Sequence, residues 1–334
     1  MQVLFKAIGA VLLLLSSYVM AAEPGKVTGG AQYEIPSWFT DSFLDIGDDV
    51  EEAGDENKKV LLFFHLDGCP YCDAMLAQNF QSGDNQPFIQ DNFSVIAVNI
   101  KGNRDITMPD GESMEEKELA QVLGVKYTPA IVFLDKTGKQ VFRTNGYRNP
   151  KLFGQTLSYV AKDKTQSQTL NQYIAEQSVT GYEFVDHALL TEVKDFSKIT
   201  TPVIIMFEDK NCTGCADVHN KLLNLDSVHQ ALGKFTFVRL DGNSEEAITL
   251  FDGSQTTPKQ LAKEYNLSYR PGFLLFDEGE KIIEIDNRLF SFHFNTVLNF
   301  VSGQHYKTYD GFNAYRNASQ AELLEQGIDI NLVD

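Results

Sequence analysis

The chain contains four cysteines, and all of them fall in two pairs of the same spacing: Cys69 and Cys72 in "FFHLDGCPYCDAM", Cys212 and Cys215 in "MFEDKNCTGCADV". Two thiols separated by two residues can cycle between dithiol and disulfide, supply half of a metal site, or act as a structural staple. A staple closing so short a loop removes little entropy from the unfolded chain, and stapled exported domains carry dispersed cysteines instead. Four-cysteine zinc sites bring two such pairs together over about 15–20 residues, whereas here the first cysteines are 143 residues apart. Redox chemistry is the strongest reading, a shared zinc site the weaker alternative, and no residue is assigned as a metal ligand.

The flanking residues say which elements must hold these thiols. "KVLLFFHL" (59–66) is a nearly continuous apolar run of strand length, as expected of a strand covered on both faces. After Cys69, Met75, Leu76 and Phe80 recur at helical spacing, which predicts a helix beginning at or just after that cysteine. "PVIIMF" (202–207) and "CADVHNKLL" (215–223) repeat the arrangement around the second pair. At a helix N-terminus, unpaired N–H groups and the positive end of the macrodipole favour an anion. Cys69 and Cys212 are therefore the expected attacking thiolates, and Cys72 and Cys215, one turn further on, the resolving thiols.

The repetition extends well beyond the cysteines. "GESMEEKELAQVLGVKYTPAIVFLDKTGKQVFRTNGY" (111–147) aligns without a gap on "GSQTTPKQLAKEYNLSYRPGFLLFDEGEKIIEIDNRL" (253–289), with Tyr127 on Tyr269 and Pro129 on Pro271. The proline lies 57 residues after Cys72 in the first half and 56 after Cys215 in the second. This is an internal duplication of a whole domain. Each proline leads a short apolar strand, a place where proline marks an edge, a bulge or a cis bond.

Strand, CxxC, helix, strand, helix, proline-led strand pair and closing helix, given twice, resembles the thioredoxin superfamily. The first half is most similar to the exported thioredoxins of bacterial sulfur-oxidation clusters, the SoxW-like group, through "SWFTDSFLDI", "LLFFHLDGCPYC", "KYTPAIVFLD" and "YVAKDKTQSQTLNQYI". The resemblance implies an α/β fold of two tandem thioredoxin-like domains, each a central mixed β-sheet flanked by helices. It implies that Thr128-Pro129 and Arg270-Pro271 form cis-proline turns whose backbone pairs with an extended substrate peptide. It also implies thiol-disulfide exchange without a cofactor, in the reductive direction, with protein disulfides or thiols as partners and a membrane electron carrier restoring the dithiols. Oxidation or isomerisation of disulfides in exported proteins, and a non-catalytic chaperone or assembly role, are the competing expectations.

Departures from that pattern are informative. Cytosolic members of the superfamily carry a buried acid six residues before the first cysteine; here those positions are Phe63 and Met206. His65 and Asp67, and in the second half Glu208 and Asp209, stand nearer, with His65 a candidate for proton transfer and solvated side chains the plain alternative. Pro-Tyr between the first cysteines becomes Thr-Gly between the second, and Thr128 becomes Arg270, whose charge beside Cys212 would favour its thiolate. Different reduction potentials are expected, and the first half alone carrying efficient catalysis is one form that the difference could take.

The whole chain bounds these readings. Its 334 residues suit two domains, and 43% hydrophobic residues suffice for real cores. A formal charge of −18 leaves no basic patch for a nucleic-acid backbone or an anionic membrane, so neither nucleic acid nor stable membrane association is expected. The acidic run "DIGDDVEEAGDEN" (45–57) reads as a solvated helix face without the spacing of a calcium loop. Residues 1–22, with Lys6 before an apolar stretch and Ala21-Ala22 before Glu23, read as a signal peptide, which predicts a periplasmic or otherwise secreted protein. The expected units are 34–178 and 181–318, joined at about 175–182, with a tail over 319–334.

Overall fold

The computed structural model describes residues 23–177, 182–210, 212 and 214–333. The expected signal peptide (1–22) and residues 178–181 of the expected junction, including the first residue of the second unit, lie outside the described residues.

In the first half the order is β1 (Val27–Thr28), α1 (Ile46–Asp55), β2 (Lys59–His65), α2 (Pro70–Met75), which runs on through a π turn (Leu76–Phe80), α3 (Asn85–Asn92) and β3 (Phe93–Asn99). A small hairpin of β4 (Asp105–Thr107) and β5 (Ser113–Glu115), α4 (Glu116–Val122), β6 (Ala130–Leu134), β7 (Gln140–Asn145), α5 (Pro150–Ala161) and α6 (Leu170–Gln177) follow. The sheet order is β3-β2-β6-β7, with β2 parallel to β3 and antiparallel to β6, and β7 antiparallel to β6.

The second half repeats this plan through β8 (Val203–Glu208), α7 (Cys215–Asp217) with a π turn (Val218–Leu222), α8 (Asp226–Leu232) and β9 (Thr236–Asp241). The hairpin of β10 (Ile248–Thr249) and β11 (Gln255–Thr256), α9 (Pro258–Glu264), β12 (Gly272–Asp277), β13 (Glu280–Ile285) and α10 (Ser291–Ser302) come next. Its sheet, β13-β12-β8-β9, has the same strand senses. The chain ends in α11 (Gly311–Glu325), which runs through the junction of the expected second unit and tail at 318–319, and β14 (Ile330–Asn331).

Period-two alternation explains why the central strands read as unbroken apolar runs. Leu61 and Phe63 face Met75, Leu76 and Phe80 of the CxxC helix and Phe153 of α5. Val60, Leu62 and Phe64 face Ile46 and Val50 of α1 and Leu119 of α4. Each such buried side chain contributes about 1.5–3 kcal/mol. Local signals fix the helix starts: the side chains of Asp45, Asn149 and Thr257 accept backbone N–H bonds as N-caps, with Pro150 and Pro258 in the first turns. The acidic run is less solvated than its composition suggests, because Asp49 is buried, accepts the Ser42 hydroxyl at 2.6 Å, and has its pKa pushed up by that burial.

The halves dock through corresponding loops, each lying between the last sheet strand and the following helix. Arg148, 1% exposed, enters the second half, donates to Asp286 O at 2.9 Å, and lies over the Tyr269 ring at 4.6 Å. In return Phe290 enters the first half and stacks on Tyr71 at 4.9 Å. Gly146, at φ +70°, passes so close to Asn287 that an added Cβ would lie 2.4 Å from its amide nitrogen. A two-residue parallel ladder between β1 and β14 ties the beginning of the described chain to its end.

Candidate redox sites

Both cysteine pairs are disulfide-bonded, with Cα–Cα separations of 5.3 Å for Cys69–Cys72 and 5.6 Å for Cys212–Cys215. At the first site Cys69 is itself the N-cap of α2, and its Sγ accepts the Cys72 N–H at 3.1 Å. Pro70 suits this turn because the first helical N–H has no intrahelical partner anyway. The loop before β6 comes alongside: Thr128 Oγ1 donates to Cys69 Sγ at 3.4 Å, and Thr128 O lies 3.6 Å from the same sulfur. The Thr128-Pro129 bond is cis. Thr128 and Tyr127 are half-buried, Asp67 and Gly68 exposed, and burial raises the Tyr127 pKa to about 12.

His65 closes β2 and is buried. The Tyr33 hydroxyl donates to Leu66 O at 2.8 Å, so towards His65 Nδ1, 3.0 Å away, it is an acceptor. That bond places the neutral imidazole's proton on Nδ1. Burial holds the His65 pKa below its ordinary value, against the opposing pull of Asp67. The segment carrying Tyr33 also bridges Ala31 to Gly68, immediately before Cys69.

The second site shares the plan and differs in detail. Its helix begins only at Cys215, so Cys212 stands ahead of the helix rather than at its cap, although Cys215 N–H donates to Cys212 Sγ at 2.9 Å. Arg270-Pro271 is cis. Arg270 lines a small cavity with Cys212, yet its guanidinium meets Asp209 at 3.2 Å and donates to Leu267 O and Tyr269 O, both at 3.0 Å. The expected cation beside Cys212 is thus matched by a carboxylate, and its effect on a thiolate is correspondingly offset. Gly214, the counterpart of Tyr71, is required by space: a Cβ there would lie 2.8 Å from Arg270 O and 3.0 Å from Tyr269 Oη.

Glu208 and Asp209 are buried, not solvated, because β8 carries Glu208 into the layer under the CxxC helix. Glu208 Oε1 lies 2.9 Å from His219 Nε2 and accepts the Tyr182 hydroxyl at 3.3 Å. Glu208 and His65 occupy one position of the repeat, four residues before the first cysteine, and each meets a tyrosine hydroxyl. Phe63 and Met206 are fully buried apolar residues where the cytosolic pattern has an acid. The sequence carried a signal for the Glu208–His219 pair, since His219 falls one helical turn after Cys215; it carried none for the contacts of Tyr71 with Phe290 and His293, which follow it by more than 200 residues. Among the described residues no group of three or more His, Cys, Asp or Glu is arranged to hold a metal ion, and no helix is long and apolar enough to cross a membrane.

The family described as thioredoxin-like domain matches residues 46–161 and again 191–301. Among solved structures, a thioredoxin-fold protein from Helicobacter pylori is 28% identical over 36% of this chain and 84% of its own, with a TM-score of 0.33. A thioredoxin from Thermus thermophilus is 26% identical over 35% of this chain and 83% of its own, with a TM-score of 0.28. A disulphide isomerase from Xylella fastidiosa Temecula1 is 20% identical over 44% of this chain and 100% of its own, with a TM-score of 0.26. Curated protein sequences gave no match. Two matched segments that together span well over half of the sequence, each containing one CxxC disulfide and one cis-proline turn, make this chain a member of the thioredoxin-like domain family, with two such domains in tandem.

Proposed function

We propose that the protein is an exported thiol-disulfide oxidoreductase that reduces protein disulfides. The thioredoxin-like fold with paired CxxC cysteines supports thiol-disulfide exchange in general; the observation that carries the assignment to Cys69 is its position at the cap of α2 beside Thr128 Oγ1. The Cys69 thiolate attacks one sulfur of a substrate disulfide, forming a mixed disulfide and releasing the other sulfur as a thiolate that takes up a proton. The Cys72 thiolate then attacks Cys69 Sγ, expelling the second substrate thiol and closing the Cys69–Cys72 bond. Two electrons and two protons pass from the enzyme dithiol to the substrate, and a membrane electron carrier is the proposed source that restores the dithiol. Periplasmic location rests on the leader-like residues 1–22, and the reductive direction on the likeness of the first half to exported thioredoxins.

Cys72→Ser is expected to arrest the cycle and accumulate mixed disulfides at Cys69, read as reductant-sensitive conjugates by mass spectrometry. Cys69→Ser with Cys72→Ser is expected to abolish turnover of a protein disulfide; wild-type partner binding and cellular function after serine replacement of all four cysteines would instead favour a chaperone role. The direction is tested by the reduction potential of Cys69–Cys72: about −270 mV agrees with a reductase, and about −120 mV with an oxidant.

A further inference from the structure

The two redox sites differ in what stands where a peptide would dock. The inference builds on thiol-disulfide exchange as the activity and concerns which centre can receive a protein. In the first site the residue before the cis-proline, Thr128, remains half-buried, and Gly68, which precedes Cys69, is exposed. In the second, Tyr269 and Arg270 are 5% and 7% exposed, and although Cys69 and Cys212 are alike at 7% and 6%, Cys212 shares its cavity with residues of the first domain.

That closure is specific. Leu152 of α5 and Asn171 and Ile174 of α6 face Cys212, Asp209, Ser268 and Arg270 across a cavity of about 10 Å³, room for a single water. With its amide oriented to match its neighbours, Asn171 donates to Ser268 O at 3.3 Å and accepts from Arg270 Nη2 at 3.1 Å. Asn171 thereby takes the backbone carbonyl two residues before Arg270. The Asp286 carboxylate holds the neighbouring donors, accepting Ser268 N–H at 2.6 Å and Tyr269 N–H at 2.7 Å, and its own backbone oxygen accepts from Arg148 of the first domain. Tyr269 itself packs into the core of the first domain.

We propose that the first domain occupies the peptide-docking edge of the second redox site, so that in the docked molecule Cys69 alone exchanges with protein disulfides while Cys212–Cys215 is reached only when α6 lifts away. Small dithiols reach the second pair through that opening: reduction breaks its S–S bond with two electrons and two protons from the dithiol, which closes to its own disulfide.

The experiment uses the oxidised full-length chain, timed exposure to dithiothreitol, alkylation with iodoacetamide, and site-by-site quantification by mass spectrometry. Cys69–Cys72 is expected to open at least about tenfold faster than Cys212–Cys215, because the second requires a local opening of the fold. Asn171→Lys, which sets a second cation against Arg270 from a half-buried helix position, is expected to bring the second pair to within about threefold of the first. Asn171→Glu, which offers Arg270 a new partner, is expected to leave it slow. Equal rates in the unaltered chain, a slow second pair in Asn171→Lys, or the same acceleration in Asn171→Glu would each overturn the proposal. In parallel, a chain with Cys69→Ser and Cys72→Ser should gain turnover of a protein disulfide when Asn171→Lys is added; turnover that already equals that of the Cys212→Ser, Cys215→Ser chain overturns it. If no chain turns over a protein disulfide, the proposed function fails, while the alkylation rates still decide whether α6 covers the second site.

Discussion

At the scale of single residues, the first site depends on what touches Cys69 Sγ. The Cys72 N–H and the Thr128 hydroxyl both point at it, at 3.1 Å and 3.4 Å. A hydrogen bond to a charged acceptor contributes about 1.5 kcal/mol, which corresponds to about one pKa unit. Thr128→Val keeps the shape and removes the donor, so the Cys69 thiol is expected to rise by about one unit. Thiolate absorbance titrated in a chain with Cys72, Cys212 and Cys215 replaced by serine measures it; an unchanged titration would leave the backbone N–H as the effective partner. The cysteines and prolines were legible in the sequence because their chemistry and spacing are local or repeated. The partner of Arg270 was not, since β8 delivers Asp209 to it from more than 60 residues away.

At the scale of elements, the strands and helices that carry the cysteines and the cis-prolines were announced by apolar period and by the proline-led strands, whereas α5 and α6, which reach the second site, were not. The α5 helix joins both concerns, because its Asn149 cap fixes a helix that packs on the sheet and presents Leu152 to the second site. Removing that cap with Asn149→Ala is expected to cost about 1 kcal/mol, read as a lowered urea midpoint at unchanged slope. A loss near zero would mean that packing alone sets the start of α5. What composition misjudged was the interior: a helix face rich in Asp and Glu buries Asp49, and the strand end that looked polar at Glu208 turns inward to meet His219. Burial of such groups depends on which side of a sheet a residue falls, and at a strand's last position the alternation has too few neighbours to read.

At the scale of the whole molecule, the docking of the halves brings a titratable group into the interface. His293, at 3.2 Å from the Tyr71 hydroxyl, has its pKa lowered by burial, and secondarily by Arg316, from 6.5 to about 4. Between those values the unfolded chain binds more protons at this residue than the folded one. Its contribution is therefore intact above about pH 6.5 and is lost as the pH falls to about 4, a change of at most about 3 kcal/mol. His293→Gln is expected to flatten that slope in urea titrations at pH 7 and pH 4.5, and an identical slope in the variant would move the cause elsewhere, His65 being the next candidate. None of this interface was legible from the duplication, since two like domains can be joined in many ways, and of the residues whose contacts choose among them Arg148, Phe290 and Tyr71 stand where the copies differ, while Tyr269 has the like residue Tyr127 as its counterpart.

The ladder of β1 on β14 extends the same theme of dependence between the halves. Lys26 N–H donates to the Asp329 carboxylate, Ile330 N–H to Lys26 O, and Leu332 N–H to Thr28 O, so the strand that leads into the first domain is built from the last strand of the second. The described chain is in effect a closed loop. The order of the two copies is then not what their contacts require: a circular permutant whose ends are joined by a linker running back along this parallel ladder, and which is opened between the halves, is expected to retain the contacts that set the two redox faces against each other.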